Sequence, residues 1–388
     1  MARLSFFSAP NRWSQPALLA LAVWLGGCAA ASSDPAGAAP TEAAGPTGSL
    51  ALKYVDYFPI GAAVGNWQLD NEADALRRDF NHLTCENAMK AQNIHPAEDS
   101  YDWAEADRIA DFARSRGMKL TGHALLWHRQ APDWMFAGIT AGDPGSLELL
   151  KARLKTHIEA LISRYADVVD NWDVVNEAIS GDFSKVYRDG PEGSRWYELF
   201  GSEDYIYWAY RYAHDALEGI SPGFSQGKLY YNDYLVTAKT QQISSMLAWL
   251  ERRGIHVDGV GFQSHEYMSW PSASELQRAF DEFVAAGYKI KISELDVTVY
   301  DDYESGSFVA SAEVPYTAEL EAAQAERFAT LFSLYRQNKA SITSVTFWGI
   351  SDDRSWLNYQ PVAGRADYPL LYKDAHTAKA ARAAIMNF

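Results

Sequence analysis

Two glutamates in this sequence stand where chemistry is easily built. Glu177 closes the run WDVVNEA and Glu294 sits in ISELDV, each just after apolar residues that read as buried strand. A lone glutamate at a strand end is commonly a structural ion-pair partner. Two of them, each with hydrogen-bonding neighbours, point instead to paired carboxylate chemistry. Glycoside hydrolysis needs such a pair: one carboxylic acid protonates the leaving oxygen, and one carboxylate attacks or activates water. Their surroundings must differ, so that one keeps a proton near neutral pH while the other stays ionised.

The elements that would position these groups follow a repeating pattern. Helical periodicity is clearest over Trp103–Arg116, Leu147–Tyr165, Gln241–Arg253, Ser274–Ala286 and Tyr316–Asn338. In the third, Ile243, Met246, Leu247 and Leu250 fall at the spacing of one buried face. Gly117, Gly254 and Gly287 follow three of these helices, as left-handed C-caps require. Each leads into an apolar run: KLTGHALLW, VDGVGFQSH and YKIKISELDV. Further strand runs lie near Ile60–Val64, His82–Glu86, Asp170–Asn176, Lys228–Asn232 and Ser344–Trp348.

Eight runs alternating with helices imply a parallel sheet, and eight βα units in about 340 residues favour one closed (β/α)8 TIM barrel of class α/β. An open doubly wound sheet is the alternative, but no Gly-rich phosphate turn follows the first strand. Polar residues gather at the C-terminal ends of the runs: Glu86 and Asn87, His123 and Trp127, Asn176 and Glu177, Gln263 and His265, Glu294 and Asp296, and Trp348. In a barrel those ends share one face. Carboxylates, amides and tryptophans together suit a carbohydrate.

Several motifs then resemble one family. WDVVNEA, GVGFQSH, ISELDV, GHALLWHRQAPDW, TFWGISDDRSW, LTCENAMK and LYYNDY occur in the order found in family 10 glycoside hydrolases, the endo-β-1,4-xylanases. The resemblance spans Ile60 to Trp356. It implies Glu177 as acid/base and Glu294 as nucleophile of a retaining mechanism on xylan or xylo-oligosaccharides. Repulsion from Glu294 is expected to raise the proton affinity of Glu177. By the same resemblance Asn176 bonds the sugar 2-hydroxyl, and His265 contacts Glu294 while Asp296 orients it. Gln263, His123, Trp127, Trp348 and Trp356 surround the sugar at the cleavage point. Glu86, Asn87 and Lys90 grip the next sugar toward the non-reducing end. Tyr231 and His128 stand at the edge as supporting residues. The chain departs from the family pattern at Ala91, in IHPAEDSYDW and at Glu266, which are expected to touch sugar-binding edges. A β-1,4-glucanase, an exo-acting xylanase and a non-catalytic surface glycan-binding lipoprotein are the alternatives.

Composition narrows the field. The 388 residues carry 34 Lys and Arg against 50 Asp and Glu, a formal charge of −16 that suits no nucleic acid. The 13 Trp and 22 Tyr supply flat faces beyond the needs of a core. No HExxH occurs, and His123 and His128 fall on opposite faces of a strand, so no metal is expected. There is no G-x-S-x-G elbow, and the glycines at 259 and 261 lack the third of a dinucleotide fingerprint. No cofactor is expected. DDYESGS at Asp301 lacks calcium-loop spacing and reads as a solvated loop.

Residues 1–28 read as an export signal: Arg3 and Arg12, then the nine-residue apolar run Ala17–Leu25, then Gly26, Gly27 and Cys28. The ending resembles a lipobox, with Cys28 as the lipidation site. An ordinary cleaved signal is the alternative. Residues 29–48 contain no aromatic, Leu, Ile or Val and read as a flexible tether of roughly 25 Å. The catalytic domain is then expected over 49–388. The expected product is an exported monomer, an outer-membrane lipoprotein on the periplasmic or surface face, or otherwise a secreted protein.

Overall fold

The computed structural model describes residues 48–189, 193–304 and 307–388. The signal with Cys28, and the tether apart from Gly48, lie outside the described residues. Eight parallel strands form the barrel: β1 (Ile60–Val64), β2 (His82–Cys85), β3 (Lys119–Trp127), β4 (Val169–Asn176), β5 (Leu229–Asp233), β6 (Gly259–Phe262), β7 (Lys289–Thr298) and β8 (Ile342–Phe347). Each pairs with the next, and β8 pairs with both β7 and β1, which closes the sheet. The closed barrel replaces the open-sheet alternative, and all eight runs are strands.

The five expected helices are present as Ala104–Arg114, Pro144–Tyr165, Val236–Arg252, Ala273–Ala285 and Ala318–Gln337. Three end alike. The N–H of Met118, Ile255 and Tyr288 each donates five residues back, to Ala113, Leu250 and Phe283. This closure requires a left-handed residue just before the donor, which is Gly117, Gly254 or Gly287. The chain therefore stops each helix and turns into the next strand within a few residues. One long helix, Asp204–Ile220, is not among those the periodicity singles out. It buries Tyr205, Ile206, Ala209, Tyr210, Ala213 and Leu217 on one face. Half-buried Tyr207, Trp208 and Tyr212 on the rest of its surface blur that pattern in the sequence.

The run VDGVGFQSH is not one strand. β6 ends at Phe262, Ser264 takes φ 56°, and a separate short strand, His265–Tyr267, begins. That strand pairs with β7 so that His265 lies opposite Asp296. Because alternate residues of a strand face opposite sides, Glu266 points away from the cleft. It is buried against the helix layer, where Arg327 pairs with it at 3.0 Å and also donates to Pro271 O. Glu266 is therefore not at a sugar-binding edge. Asp302, expected on a solvated loop, is also buried, and Arg365 holds its carboxylate.

Inside the barrel the inward residues of β3, β4 and β7 form a polar network. The Lys291 ammonium donates to Asp173 at 2.6 Å and to Asn171 at 2.8 Å. Asp173 also bonds His123 Nδ1 at 2.9 Å, and Asn171 accepts from Thr121. His123 in turn meets the edge of Trp348 at the barrel mouth. Lys291 is fully buried, so removing it strands a buried carboxylate. Lys291→Met is expected to destabilise the fold by about 3–5 kcal/mol, measured by reversible denaturant unfolding.

Candidate active site

Glu294 lies in β7, 5% exposed, with hydrogen-bond partners to both oxygens. Asn232, the penultimate residue of β5, donates Nδ2 to Oε1 at 2.7 Å. His265 Nε2 lies 3.3 Å from Oε2, and its Nδ1 is 2.9 Å from Asp296. Burial alone would lower the histidine's pKa, but Asp296 and Glu294 raise it to about 10. His265 is thus a cation between two carboxylates. Trp356 donates its indole N–H to the same Asp296 oxygen at 2.9 Å, which ties the loop after β8 to this clamp.

Glu177 follows β4 in a left-handed conformation, φ 58°. Its N–H donates to Asn232 O at 2.8 Å, and Arg188 donates to its carbonyl at 2.7 Å. Gln263 Nε2 donates to Oε1 at 3.0 Å, and the Arg188 guanidinium lies 3.8 Å from Oε2. Burial pushes the carboxyl upward, yet His128, Arg188, Gln263 and Arg129 overcome it and hold the group at about 2. The expected rise through repulsion by Glu294 is not found, because the groups that dominate around Glu177 are cations and a hydrogen-bond donor. Burial, with Arg188 adding to it, keeps His128 well below its ordinary value. At neutral pH His128 is uncharged, and the cations that remain beside Glu177 are Arg188 and Arg129.

Between the two glutamates, the Asn176 amide lies within hydrogen-bonding distance of Asn232, Gln263 and the Trp127 indole. Lys90 donates to Asn87 at 3.1 Å, and its ammonium lies 4.9 Å from the Trp127 ring centre and 5.8 Å from that of Trp348. Burial lowers the Lys90 pKa while Glu86, Glu294 and Glu177 oppose it, which puts Lys90 in the field of both central carboxylates. Burial likewise raises Glu86, against Lys90 and Asn87. Of the fifteen polar and aromatic residues expected at the site, all but Tyr231 gather at one barrel mouth. That residue is wholly buried, donating to Asp233 at 2.5 Å and accepting from Ile179 N at 3.0 Å. It fixes the backbone just beyond Glu177.

Two contributors were not assigned from sequence. Asn232 touches both halves of the site, and its place at a strand end, like that of Asn176, was the available signal. Arg188 sits in a loop eleven residues past Glu177, and no local pattern marks it. Gly261 on β6 is what gives Asn232 room: a Cβ there would lie 2.3 Å from Asn232 Oδ1.

A closed βα barrel with two carboxylates in one hydrogen-bonded network and a tryptophan-lined mouth has the makings of a carbohydrate-processing enzyme. Residues 49–388 match the model of glycosyl hydrolase family 10, and the chain belongs to that family. It is similar to a β-1,4-xylanase of Dictyoglomus thermophilum, 37% identical over 343 residues, covering 88% of this chain and 91% of the relative. Endo-1,4-β-xylanase A of Caldicellulosiruptor saccharolyticus is 39% identical, with 88% and 96% covered. Among solved structures, an endo-1,4-β-xylanase from Caldicellulosiruptor owensensis superposes with TM-score 0.80 at 37% identity, covering 88% of this chain and all of that one. A mutant structure in complex with xylotriose superposes at 0.79 with 36% identity, over 88% and 100%.

Gly261→Ala is expected to push Asn232 off Glu294 and cost about 100-fold in kcat, the scale of an ångström-level misplacement. Steady-state kinetics with an unfolding control checks this.

Proposed function

We propose that this chain is a retaining endo-β-1,4-xylanase. The observation that carries the reading is the fixing of Glu294 between the His265 cation and Asn232, with Glu177 joined to the same network through Gln263 and Asn176. The names borne by its relatives supply the substrate class, a β-1,4-linked xylan. A site that only held glycan would not need a buried carboxylate clamped on both oxygens.

In the first step Glu177 gives its proton to the departing glycosidic oxygen while a Glu294 oxygen forms an ester to the anomeric carbon. In the second, Glu177 takes a proton from water, whose oxygen attacks that carbon and releases Glu294. Asn176 orients the 2-hydroxyl of the sugar under attack. In the empty cleft Glu177 is a carboxylate, so bound sugar must help to protonate it. Expelling water from the cleft works in that direction, because it adds to the burial that already favours the neutral form.

Arg188 opposes that gain, so its removal raises the Glu177 pKa and keeps the acid protonated to higher pH. Arg188→Met is expected to move the basic limb of kcat, which reports the enzyme–substrate complex, to higher pH. An unmoved limb would show that Arg188 does not act on Glu177.

Product analysis on β-1,4-xylan and β-1,4-glucan tests the function itself, using protein starting at Ser49. A ladder of short xylo-oligosaccharides with little from glucan is expected, and Glu294→Ala is expected to abolish it with an unchanged unfolding curve. Near-normal turnover by that variant, or single xylose units as the main product of the wild type, would contradict the assignment.

A further inference from the structure

Arg354 and Trp67 make a feature of the catalytic face that the chemistry above leaves unused. Arg354 ends the short turn Asp352–Arg354 in the loop after β8, two residues before Trp356. Its guanidinium carbon lies 4.1 Å from the centre of the Trp67 ring. Trp67 is half-buried in the helix Asn66–Asn71, which follows β1 directly. That helix adjoins the Glu86 end of the cleft. Glu86 N donates to Val64 O at 3.0 Å, and Asn66 N donates at 2.8 Å to Glu105, whose charge bears on Glu86.

Other arginines of this face are neutralised. Arg108 pairs with Asp70 and Arg365 with Asp302, while Arg188 lies against Glu177. Arg354 is exposed and, among the described residues, has no carboxylate at ion-pair distance. The carboxyl that its charge reaches is Glu72, which burial pushes up to about 7, leaving it a weak counter-ion. The neighbouring Asp353 accepts from Ser351 at 2.6 Å.

A guanidinium laid on an indole keeps its plane and presents N–H edges that fit a carboxylate in two-point fashion. The Trp67 ring beneath it holds the guanidinium in that orientation. The chain's formal charge of −16 repels free anions, so such a site would fill when the carboxylate arrives on a chain already held in the cleft. We propose that Arg354, held on Trp67, receives a carboxylate-bearing branch, a hexuronic acid carried on the xylan main chain, at the end of the cleft beyond Glu86. This rests on the xylanase reading.

The test compares xylan bearing uronic-acid branches with the same polymer after its carboxylates are reduced to alcohols. Arg354→Ala is expected to lose about 10-fold in kcat/KM on the acidic polymer, the worth of one charge-assisted contact, chiefly through KM. It is expected to match the wild type on the reduced polymer. Arg354→Lys, which keeps the charge without the fork, is expected to fall between. Equal losses on both polymers, or no loss on either, would overturn the site while wild-type turnover of the reduced polymer upholds the xylanase reading. A wild type inert on both polymers overturns that reading and this proposal with it.

Discussion

A carboxylate taken out of water must meet opposite charge or several hydrogen-bond donors, or it takes up a proton and loses its charge. The catalytic end of this barrel concentrates carboxylates, so its architecture is in large part the placing of their partners. His265 stands between Glu294 and Asp296, Arg188 beside Glu177, and Lys291 beneath Asp173. His265 and Lys291 come from other βα units than the carboxylates they serve, and Arg188 from the loop that Glu177 begins. The charges at the mouth therefore bind the βα units to one another as well as setting the chemistry.

The two central glutamates are held differently. Glu294 sits within a strand and takes its partners from the short strand at His265 and the end of β5. Glu177 has already left its strand, in a left-handed turn whose carbonyl is anchored by Arg188 and whose following residues are pinned by Tyr231 and Lys239. A group that must exchange a proton in two directions thus sits on a separately braced turn, while the group that must attack along one line sits inside the sheet. Asn232 joins them, bonding the side chain of one and the backbone of the other.

Much of this was legible in the sequence, for a physical reason. Strand and helix periods, Gly117, Gly254 and Gly287 as stops, and polar residues at strand ends are local signals, and eight βα units favour a closed barrel over an open sheet. The His265 clamp on Glu294 was legible through the motif resemblance. What failed did so where burial depends on a distant partner. Glu266 and Asp302 look like surface acids in any local window, yet Arg327 and Arg365, 61 and 63 positions away, take them into the interior.

The sequence by itself determined the order of the elements, the face on which polar ends collect, and the two glutamates placed there. Those features depend on residue type and on spacings of a few positions. The tertiary structure alone decided the charge state of Glu177, the role of Asn232 and the exposure of Arg354. Proton affinity and accessibility are set by what lies within a few ångströms in space, and the barrel brings those neighbours from strands and loops far apart along the chain.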